Sequence, residues 1–252
     1  MQIKVITLNV WNGGTLFDSV VSFLKKEDPD LLALQEVYNG HDPNLAANFR
    51  TIEQLKKKLS LPFYAFSPAY LHILEVGRIE QGNTIFSKFP IKREQTTFYD
   101  ILYKDRLGEG GPKVYALISR NLQHAQIEVG EKELNVFNTQ GIWGYDGKDN
   151  PRRLKMAQTI IKYIQGKKNV ILCGDSNVDQ HTQTMRNLEE YLTNVFKGEL
   201  TTTFNLKRKT KGDYARAVVD MMLVSPNIRV LDHYCPDVDI SDHLPLVANL
   251  EI

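Results

Sequence analysis

The sequence has few cysteines and no long hydrophobic run, and these absences exclude several classes of protein. Two cysteines in 252 residues cannot form a disulfide framework, and neither has a Cys or His partner at zinc-ligand spacing. No apolar stretch approaches the roughly 18 residues of a membrane span, and the first residues lack the pattern of a cleavable secretory signal. We therefore expect a cytoplasmic protein without a membrane span; secretion by a route that needs no cleavable signal is also compatible with the sequence.

The sequence also lacks an excess of charge of either sign. Its 31 Lys and Arg residues are balanced by 30 Asp and Glu residues, so the net charge of +1 provides no general attraction to nucleic acid. A local basic patch is still compatible with this balance. There is no internal repeat, low-complexity tract or linker rich in Pro and Ser. We expect a single domain over residues 1–252, and a monomer.

Short apolar runs alternate with amphipathic stretches, which is typical of an α/β protein. The helix predicted over 151–165 has Asn150 as its N-cap, Pro151 at the first helical position and Gly166 after its end. Residues 130–133 separate two alternating runs and predict a hairpin turn, so we expect a mixed sheet. The other predicted helices span 16–26, 44–59 and 182–192; the predicted strands span 3–9, 30–35, 82–87, 114–120, 125–129, 134–138, 169–173, 218–224 and 244–250; and the predicted loops span 100–112 and 201–216.

Polar side chains stand at or directly after the ends of several predicted strands. Strand ends gather along one edge of the sheet in an α/β fold, so these side chains can converge in one cleft. Most have an ordinary alternative explanation, such as a turn for residues 174–177. A carboxylate inside an apolar strand, as at Asp220, is costly unless it has a partner, and a histidine N–H is a suitable one. The residues concerned are Asn9, Glu36, Asp175, Asn177, Asp220, Asp242 and His243.

The residue types in this set indicate a hard-cation site. Carboxylate and amide oxygens with no cysteine cluster favour Mg²⁺ or Mn²⁺ over zinc, and Mg²⁺ commonly acts on phosphate groups. No covalent nucleophile is evident, because neither Cys173 nor Cys235 precedes an arginine-bearing phosphate loop. Metal-assisted attack of water on a phosphate ester is therefore the economical hypothesis.

Seven short motifs occur in order along the chain, at 7–11, 34–37, 82–87, 138–140, 174–177, 219–225 and 241–245. Together they resemble the motif set of the endonuclease/exonuclease/phosphatase superfamily, which includes deoxyribonuclease I. The resemblance runs from the first predicted strand to the last. It implies a four-layered α/β sandwich, with two mixed β-sheets packed face to face and helices on the outside.

The resemblance also implies a metal site and a hydrolytic centre. Glu36 is the implied main metal ligand, with Asn9 and Asp242 nearby; in a two-metal site, Asp175 and Asn177 could hold a second ion.

The implied catalytic roles fall on four residues. Asp175 would orient or deprotonate the attacking water, and Asn177 would hold that water or a phosphate oxygen. His243 would contact the scissile phosphate, with Asp220 fixing its tautomer and orientation.

Substrate contacts are implied for Asn83 and Gln140. Many members of the family have a histidine after the threonine of the 138–140 motif, where this chain has Gln140. Glutamine donates a hydrogen bond but cannot carry a positive charge, so we expect lowered activity or a different substrate. Residues 138–143 and 149–154 look most similar to an uncharacterised bacterial branch of the family.

A basic loop lies shortly before Asp220 and includes the run 207–211. Lys207, Arg208 and Arg216 of this loop could lie beside the cleft and bind phosphates. A solvated run of charges is an equally good interpretation.

The sequence leaves three functions open. We adopt a Mg²⁺- or Mn²⁺-dependent phosphodiesterase acting on DNA or RNA, because the basic loop could bind phosphates and aromatic residues near the motifs, including Trp11 and Trp143, could stack on bases. The same aromatic residues are equally compatible with a lipid or sugar ring, or with the core. The alternative is a phosphatase or phosphodiesterase acting on a phosphoinositide, sphingolipid or nucleotide. Residues 216–220, however, do not match the Trp-Cys-Asp-Arg signature of the family's inositol phosphatases. The third is a binding module that has lost catalysis.

Overall fold

Two mixed β-sheets form the centre of the protein in the computed structural model, which describes residues 1–107, 112–210 and 213–252. The strands are β1 (Gln2–Asn9), β2 (Leu31–Tyr38), β3 (Phe63–Leu74), β4 (Gly77–Ser87), β5 (Ile91–Phe98), β6 (Asp105–Leu107), β7 (Asn121–Val129), β8 (Lys132–Gln140), β9 (Val170–Asp175), β10 (Thr193–Asn194), β11 (Asp220–Val224), β12 (Arg229–Tyr234) and β13 (Leu246–Glu251). The helices are α1 (Phe17–Glu27), α2 (Thr51–Lys58), α3 (Pro112–Tyr115), α4 (Pro151–Ile164) and α5 (Gln183–Glu189), with 3-10 helices at Ala47–Arg50 and Asp213–Arg216.

The strand order defines the two sheets. Sheet 1 has the order β12-β13-β1-β2-β4-β3-β6, and sheet 2 has the order β10-β11-β9-β8-β7-β5. Each sheet contains one central parallel pair, β1 with β2 and β8 with β9, flanked by antiparallel neighbours, and sheet 1 has a second parallel pair, β3 with β6, at its edge. The carboxyl ends of these parallel pairs carry several of the polar residues that the sequence singled out.

Successive side chains of a strand point to opposite faces of its sheet, so each sheet packs against the other sheet on one face and against helices on the other. Val5 points into an apolar cluster shared by the two sheets, whereas its neighbour Ile6 points to the opposite face, beneath α1 and α2. Leu172 on β9 similarly packs against Met156 of α4 and Met185 of α5 on the outer face of sheet 2. The predicted four-layered α/β sandwich is therefore confirmed. Among the described residues, no helix has the length and apolar character needed to span a membrane.

Local signals in the sequence correctly located one helix and one hairpin. The Asn150 side chain accepts a hydrogen bond of 3.0 Å from the backbone N–H of Arg153, and Pro151 opens α4. Gly166 follows the helix with a φ of +78°, a conformation that glycine adopts without strain. The predicted hairpin connects β7 and β8 at residues 130–131.

Other local predictions were wrong. The predicted strand 114–120 is instead the end of α3 and a turn, where Ile118 packs on Ala69 and Tyr70 rather than on a strand partner. The predicted loop 100–112 contains β6, which pairs in parallel with β3; its residues 108–111 lie outside the described part of the chain. Lys211 of the basic run also lies outside the described residues. The predicted helix 44–59 is divided into a 3-10 helix and α2, and strands β3, β5, β10 and β12 were missed.

A buried amide network joins the sheets beneath the polar strand ends. Asn138 of β8 donates to the carbonyl oxygens of Leu34 and Thr84 in sheet 1, each at 3.0 Å, and to Gln123 at 3.2 Å. Its own carbonyl oxygen accepts from Gln35 of β2 at 2.6 Å. Because Asn138 is fully buried, each of these groups depends on the others for its hydrogen bonds.

Replacing Asn138 by alanine is expected to lower the free energy of unfolding by about 3 kcal/mol or more, because several buried polar groups lose their partner together. Urea unfolding measures the change. The matched control is Asn227→Ala, since the exposed Asn227 side chain donates to the half-buried Asn169 near the surface; its effect should stay within about 0.5 kcal/mol. Equal effects of the two substitutions would contradict a structural role for the network.

Candidate active site

A cavity of about 400 Å³ opens where the parallel strand pairs of the two sheets end. Both sheets contribute, because Glu36 comes from β2 while Gln140 and Asp175 end β8 and β9. Asn9 and Asp220 lie directly behind this surface, hydrogen-bonded to residues that line it. The predicted site residues that line the cavity are Glu36, Gln140, Asp175, Asn177, Asp242 and His243.

Asn9 connects the two sheets at this point. Its side-chain N–H₂ group donates to Glu36 Oε1 in sheet 1 and to Asp175 Oδ2 in sheet 2, both at 3.1 Å. Its carbonyl oxygen accepts from the backbone N–H of Trp11 at 3.0 Å, which fixes the orientation of the amide. Two carboxylates that would otherwise repel each other are thereby held side by side.

A bulge in β2 turns Glu36 into the cavity. The register between β2 and β4 shifts between Leu34 and Val37, and Glu36 has a φ of +61°, an uncommon backbone conformation for a residue with a side chain. Glu36 accepts hydrogen bonds from the backbone of Asn12 at 2.9 Å and from Gln140 Nε2 at 2.7 Å.

These contacts keep the Glu36 side chain charged. Burial by itself raises the pKa of Glu36, but the Asn12 N–H, the Arg120 guanidinium and the Asn9 amide outweigh burial and lower the pKa. The cavity therefore holds a half-buried carboxylate that is ionised at neutral pH.

Glycine allows the neighbouring carboxylate to approach β8. A Cβ atom at Gly174 would lie 2.0 Å from the carbonyl oxygen of Thr139, and the φ of Gly174 is +132°, so only glycine fits here. Asp175 then ends β9 directly opposite Gln140 of β8.

Asp175 differs from Glu36 in its protonation chemistry. Burial raises the pKa of Asp175, and the nearby Asp220 carboxylate adds to this, whereas the His243 imidazole and the backbone N–H of Asn177 oppose it. Asn177 also donates from its side chain to Asp175 Oδ2 at 3.3 Å. A raised pKa makes Asp175 a better proton acceptor than an ordinary aspartate.

Asp220 and His243 form a buried pair. Asp220 Oδ2 lies 2.8 Å from His243 Nδ1, and the Phe204 ring packs edge-on against the imidazole at 4.7 Å. Burial lowers the pKa of His243, but the carboxylates of Asp220, Asp242 and Asp175 outweigh it and raise the pKa to about 9. The imidazole is therefore a cation at neutral pH.

One ligand atom from each of Asp175, Asp220 and His243 lies within 4.8 Å of the other two, close enough to share a metal ion. The short contact between Asp220 and His243 Nδ1 contains a proton, however, and a metal ion at this point would displace it. Hydrogen bonding accounts for this group without a metal. The remaining oxygen ligands on the cavity, Glu36 and Asp242, suit a hard cation better.

The structure does not bring all predicted substrate residues to the cavity. Within the described part of the chain, its lining includes Lys209 but not Lys207, Arg208 or Arg216. Arg208 instead forms a bidentate ion pair with Asp239, at 2.7 and 2.6 Å. Lys209 lies 3.5 Å from Asp242 at the cavity.

Asn83 is also absent from the described lining. It is buried between the sheets, where its side chain donates to Asn121 Oδ1 at 2.9 Å.

Sequence reasoning missed several cavity residues. Arg106 lies on the short strand β6, inside a predicted loop, and Arg120 lies in the wrongly predicted strand 114–120. Tyr70 and His72 come from the missed strand β3. The sequence offered one signal for these residues. Arg120 is a charged residue between apolar Ile118 and Leu122, where an apolar side chain would be expected.

The model of the Endonuclease/Exonuclease/phosphatase family matches residues 6–243 of the chain. No curated protein matches the chain in sequence.

Several solved structures share the fold. An endonuclease/exonuclease/phosphatase from Beutenbergia cavernae DSM 12333 superposes with a TM-score of 0.77 at 15% identity, covering 100% of this chain and 72% of that one. A mannosyl-6-phosphatase from Bacteroides thetaiotaomicron VPI-5482 gives a TM-score of 0.68 at 19% identity, with 99% and 100% covered. D. rerio TDP2, complexed with single strand DNA product, gives a TM-score of 0.71 at 16% identity, with 100% and 99% covered.

His243 is expected to titrate near pH 9 in the metal-free protein. Because this pKa is above the ordinary value of 6.5, the charged imidazole stabilises the fold fully below about pH 6.5, and the contribution is lost as the pH rises through about 9. NMR of the imidazole nitrogens measures the titration, and urea unfolding at several pH values measures the stability. Asp220→Asn should move the titration towards the ordinary value; an unchanged titration in that variant would rule out the pair as its cause.

Proposed function

The chain belongs to the endonuclease/exonuclease/phosphatase family, and on that premise we propose that it is a divalent-metal-dependent phosphodiesterase that cleaves nucleic acid by attack of water. Members of this family are hydrolases that act on phosphate esters. The observation that carries the proposal is the grouping of Asp175, Asn177 and the Asp220–His243 pair around one cavity beside Glu36.

Two residues of the cavity serve the attacking water. Asp175 accepts a proton from the water, for which its raised pKa suits it. Asn177 holds the water or a phosphate oxygen, and its backbone N–H fixes Asp175 Oδ1 at 2.9 Å.

His243 serves the phosphate. Its Nδ1 is engaged with Asp220, which leaves Nε2–H as the donor towards the negative charge that develops on the phosphate oxygens. Asp220 thus positions the imidazole and favours its cationic form.

The chemistry of the cavity fits a hard divalent cation. Glu36 is ionised, Asp242 provides a second carboxylate, and Asn9 orients Glu36 through its amide. Mg²⁺ or Mn²⁺, held by Glu36 with Asp242 and Asn9 nearby, would supply Lewis-acid stabilisation of the phosphate charge when bound.

Nucleic acid as substrate is supported by the aromatic side chains around the cavity. Trp11 and Trp143 line it, and the exposed Tyr145 packs against Trp143 with ring centroids 4.9 Å apart. Exposed aromatic rings beside a phosphate site are suited to stacking on bases. TDP2 provides a precedent for DNA on this fold. We also propose, as expected from the sequence, that the protein is a cytoplasmic monomer with a single domain.

A small phosphate ester is the second candidate, and the size of the cavity favours it. A volume of about 400 Å³ lies within the range of pockets that bind small molecules. Arg208, one of the cations on which the nuclease hypothesis depended, is already neutralised by Asp239. The mannosyl-6-phosphatase is a precedent for a small substrate on this fold.

Nicking of supercoiled plasmid tests the first candidate. With Mg²⁺ or Mn²⁺ the wild-type protein should nick the plasmid, and EDTA should abolish nicking. Asp175→Asn and His243→Ala should each lower the rate at least about 100-fold, because both side chains serve the transition state. Asp18→Asn, which changes an exposed aspartate on α1, is the matched control and should nick like wild type. Metal-dependent nicking that survives in both site variants would overturn the residue assignment. Absence of nicking by the wild type would favour the small-substrate candidate.

Metal affinity tests the role of Glu36. Calorimetric titration with Mg²⁺ and Mn²⁺ should show affinity lowered at least about tenfold in Glu36→Gln, because the variant retains the shape but not the charge of the ligand. Glu128→Gln on the exposed face of β7 is the control and should bind like wild type. Unchanged affinity in Glu36→Gln would place the ion elsewhere, with Asp175, Asp220 and His243 as the next group to test.

A further inference from the structure

Two arginine side chains line the cavity without a carboxylate partner in the described part of the chain. Neither Arg106 nor Arg120 has an Asp or Glu oxygen within 4.0 Å among the described residues. Arg120 is only 6% exposed and donates to the neutral amide oxygen of Gln140. The Nε atoms of both arginines are buried and have no acceptor within the described structure.

An unpaired buried cation is costly, and this chain pairs its other buried arginine. Arg153 is fully buried and its Nη2 also lacks an acceptor among the described residues, but it donates to the carbonyl oxygens of Ile142 at 3.0 Å and Lys148 at 2.5 Å and lies 3.8 Å from the Asp146 carboxylate. Burying a guanidinium without such partners is strongly unfavourable. Within the described structure the arginines of the cavity therefore lack a directly bonded anion, which a ligand can supply.

Arg106 is held ready for such a ligand. Its guanidinium carbon lies 5.3 Å from the ring centre of Tyr70 and 5.4 Å from that of Tyr115, and Nη1 donates to the Tyr70 hydroxyl at 2.8 Å. The Tyr70 hydroxyl in turn donates to Gln81. A guanidinium fixed in this way loses little freedom when it binds a phosphate.

The two arginines lie at different distances from the hydrolytic centre. Arg120 is connected to Glu36 through Gln140, which accepts from Arg120 and donates to Glu36. Arg106 lies farther out, on the edge strand β6, but it donates to the Tyr70 hydroxyl, and the charge of Arg120 also acts to lower the pKa of that hydroxyl. The charges of both arginines therefore act at the Tyr70 hydroxyl, beside the hydrolytic centre.

We propose that Arg106 and Arg120, with the Tyr70 hydroxyl, form a subsite for a second phosphate group of the substrate, beside the phosphate ester that is hydrolysed at Asp175. This inference rests on the proposed function. It selects substrates in which a terminal phosphate accompanies the scissile ester: a phosphorylated end of a nucleic acid strand or a small bisphosphate. When a long strand is cleaved internally, the subsite would meet a singly charged phosphodiester instead of a terminal phosphate, which is a dianion.

A matched pair of substrates tests the subsite. Thymidine 5′-(p-nitrophenyl phosphate) is compared with the same compound carrying a 3′-phosphate, and release of p-nitrophenol gives kcat/KM for each. The wild type should prefer the 3′-phosphorylated compound by about tenfold or more, the scale of charge-assisted hydrogen bonds. The preference should fall to about twofold or less in Arg106→Gln and in Arg120→Gln. Arg229→Gln changes an exposed arginine on β12, at the opposite edge of the same sheet, and should keep the full preference.

Binding without turnover separates this inference from the proposed function. Thymidine 3′,5′-bisphosphate is titrated calorimetrically into the Asp175→Asn protein, with and without Arg106→Gln. Binding that needs Arg106, together with no hydrolysis of either substrate by the wild type, would support the subsite and overturn the phosphodiesterase. Hydrolysis without preference for the 3′-phosphate, or with a preference that survives Arg106→Gln, would overturn the subsite and leave the phosphodiesterase standing.

Two further comparisons complete the test. Arg120→Lys retains the charge and should recover part of the preference, which distinguishes loss of the subsite from a folding defect in Arg120→Gln. Short oligonucleotides ending in a phosphate or a hydroxyl identify the source of the dianion. Preference for the phosphorylated oligonucleotide assigns a nucleic acid end, and preference confined to the mononucleotide assigns a small bisphosphate.

Discussion

The carboxamide of Asn9 is the contact on which the active-site geometry depends. It donates to Glu36 of sheet 1 and Asp175 of sheet 2, so one neutral group holds together the carboxylate proposed to bind metal and the one proposed to accept a proton. Because these side chains come from different sheets, their separation is determined by how the sheets pack. The buried Asn138 network lies beneath these side chains. It also connects the two sheets, because Asn138 of sheet 2 donates to carbonyl oxygens of sheet 1. The apolar core supplies most of the stability of the fold, while these amides define how the two sheets are aligned with each other.

Gln140 has a clear place in this charge arrangement. It donates to Glu36 and accepts from Arg120, and so it connects an anion and a cation that do not pair directly. A protonated histidine, the residue that many family members have here, could donate to Glu36 but could not accept from a guanidinium. The departure at Gln140 and the presence of Arg120 are therefore physically consistent with each other. Gln140 carries no charge of its own, but it places the positive charge of Arg120 next to it.

The sequence allowed the sandwich to be predicted, and most of the polar residues that it singled out line one cavity, because polar residues at the ends of buried strands leave a clear pattern. It failed where packing overrides that pattern. Strand β3 contains Pro68 and an irregular register against β4, and the edge strand β5 is largely exposed, so neither shows clean alternation. Arg208 looked available for phosphate because Asp239, its partner, lies 31 residues away in the chain. Arg106 went unnoticed because a three-residue strand carries almost no periodic signal.

Strand β6 has a consequence for dynamics. It is the outermost strand of its sheet and pairs with β3 through only three residues. Edge segments with few hydrogen bonds separate from a sheet at a much lower free energy than global unfolding requires, so amide hydrogen exchange there should be fast compared with β1 or β9. Each such opening carries Arg106 away from Tyr70. The observed affinity for any ligand of Arg106 is then the intrinsic affinity multiplied by the fraction of molecules in which the strand is docked, and ligand binding and strand order become thermodynamically linked.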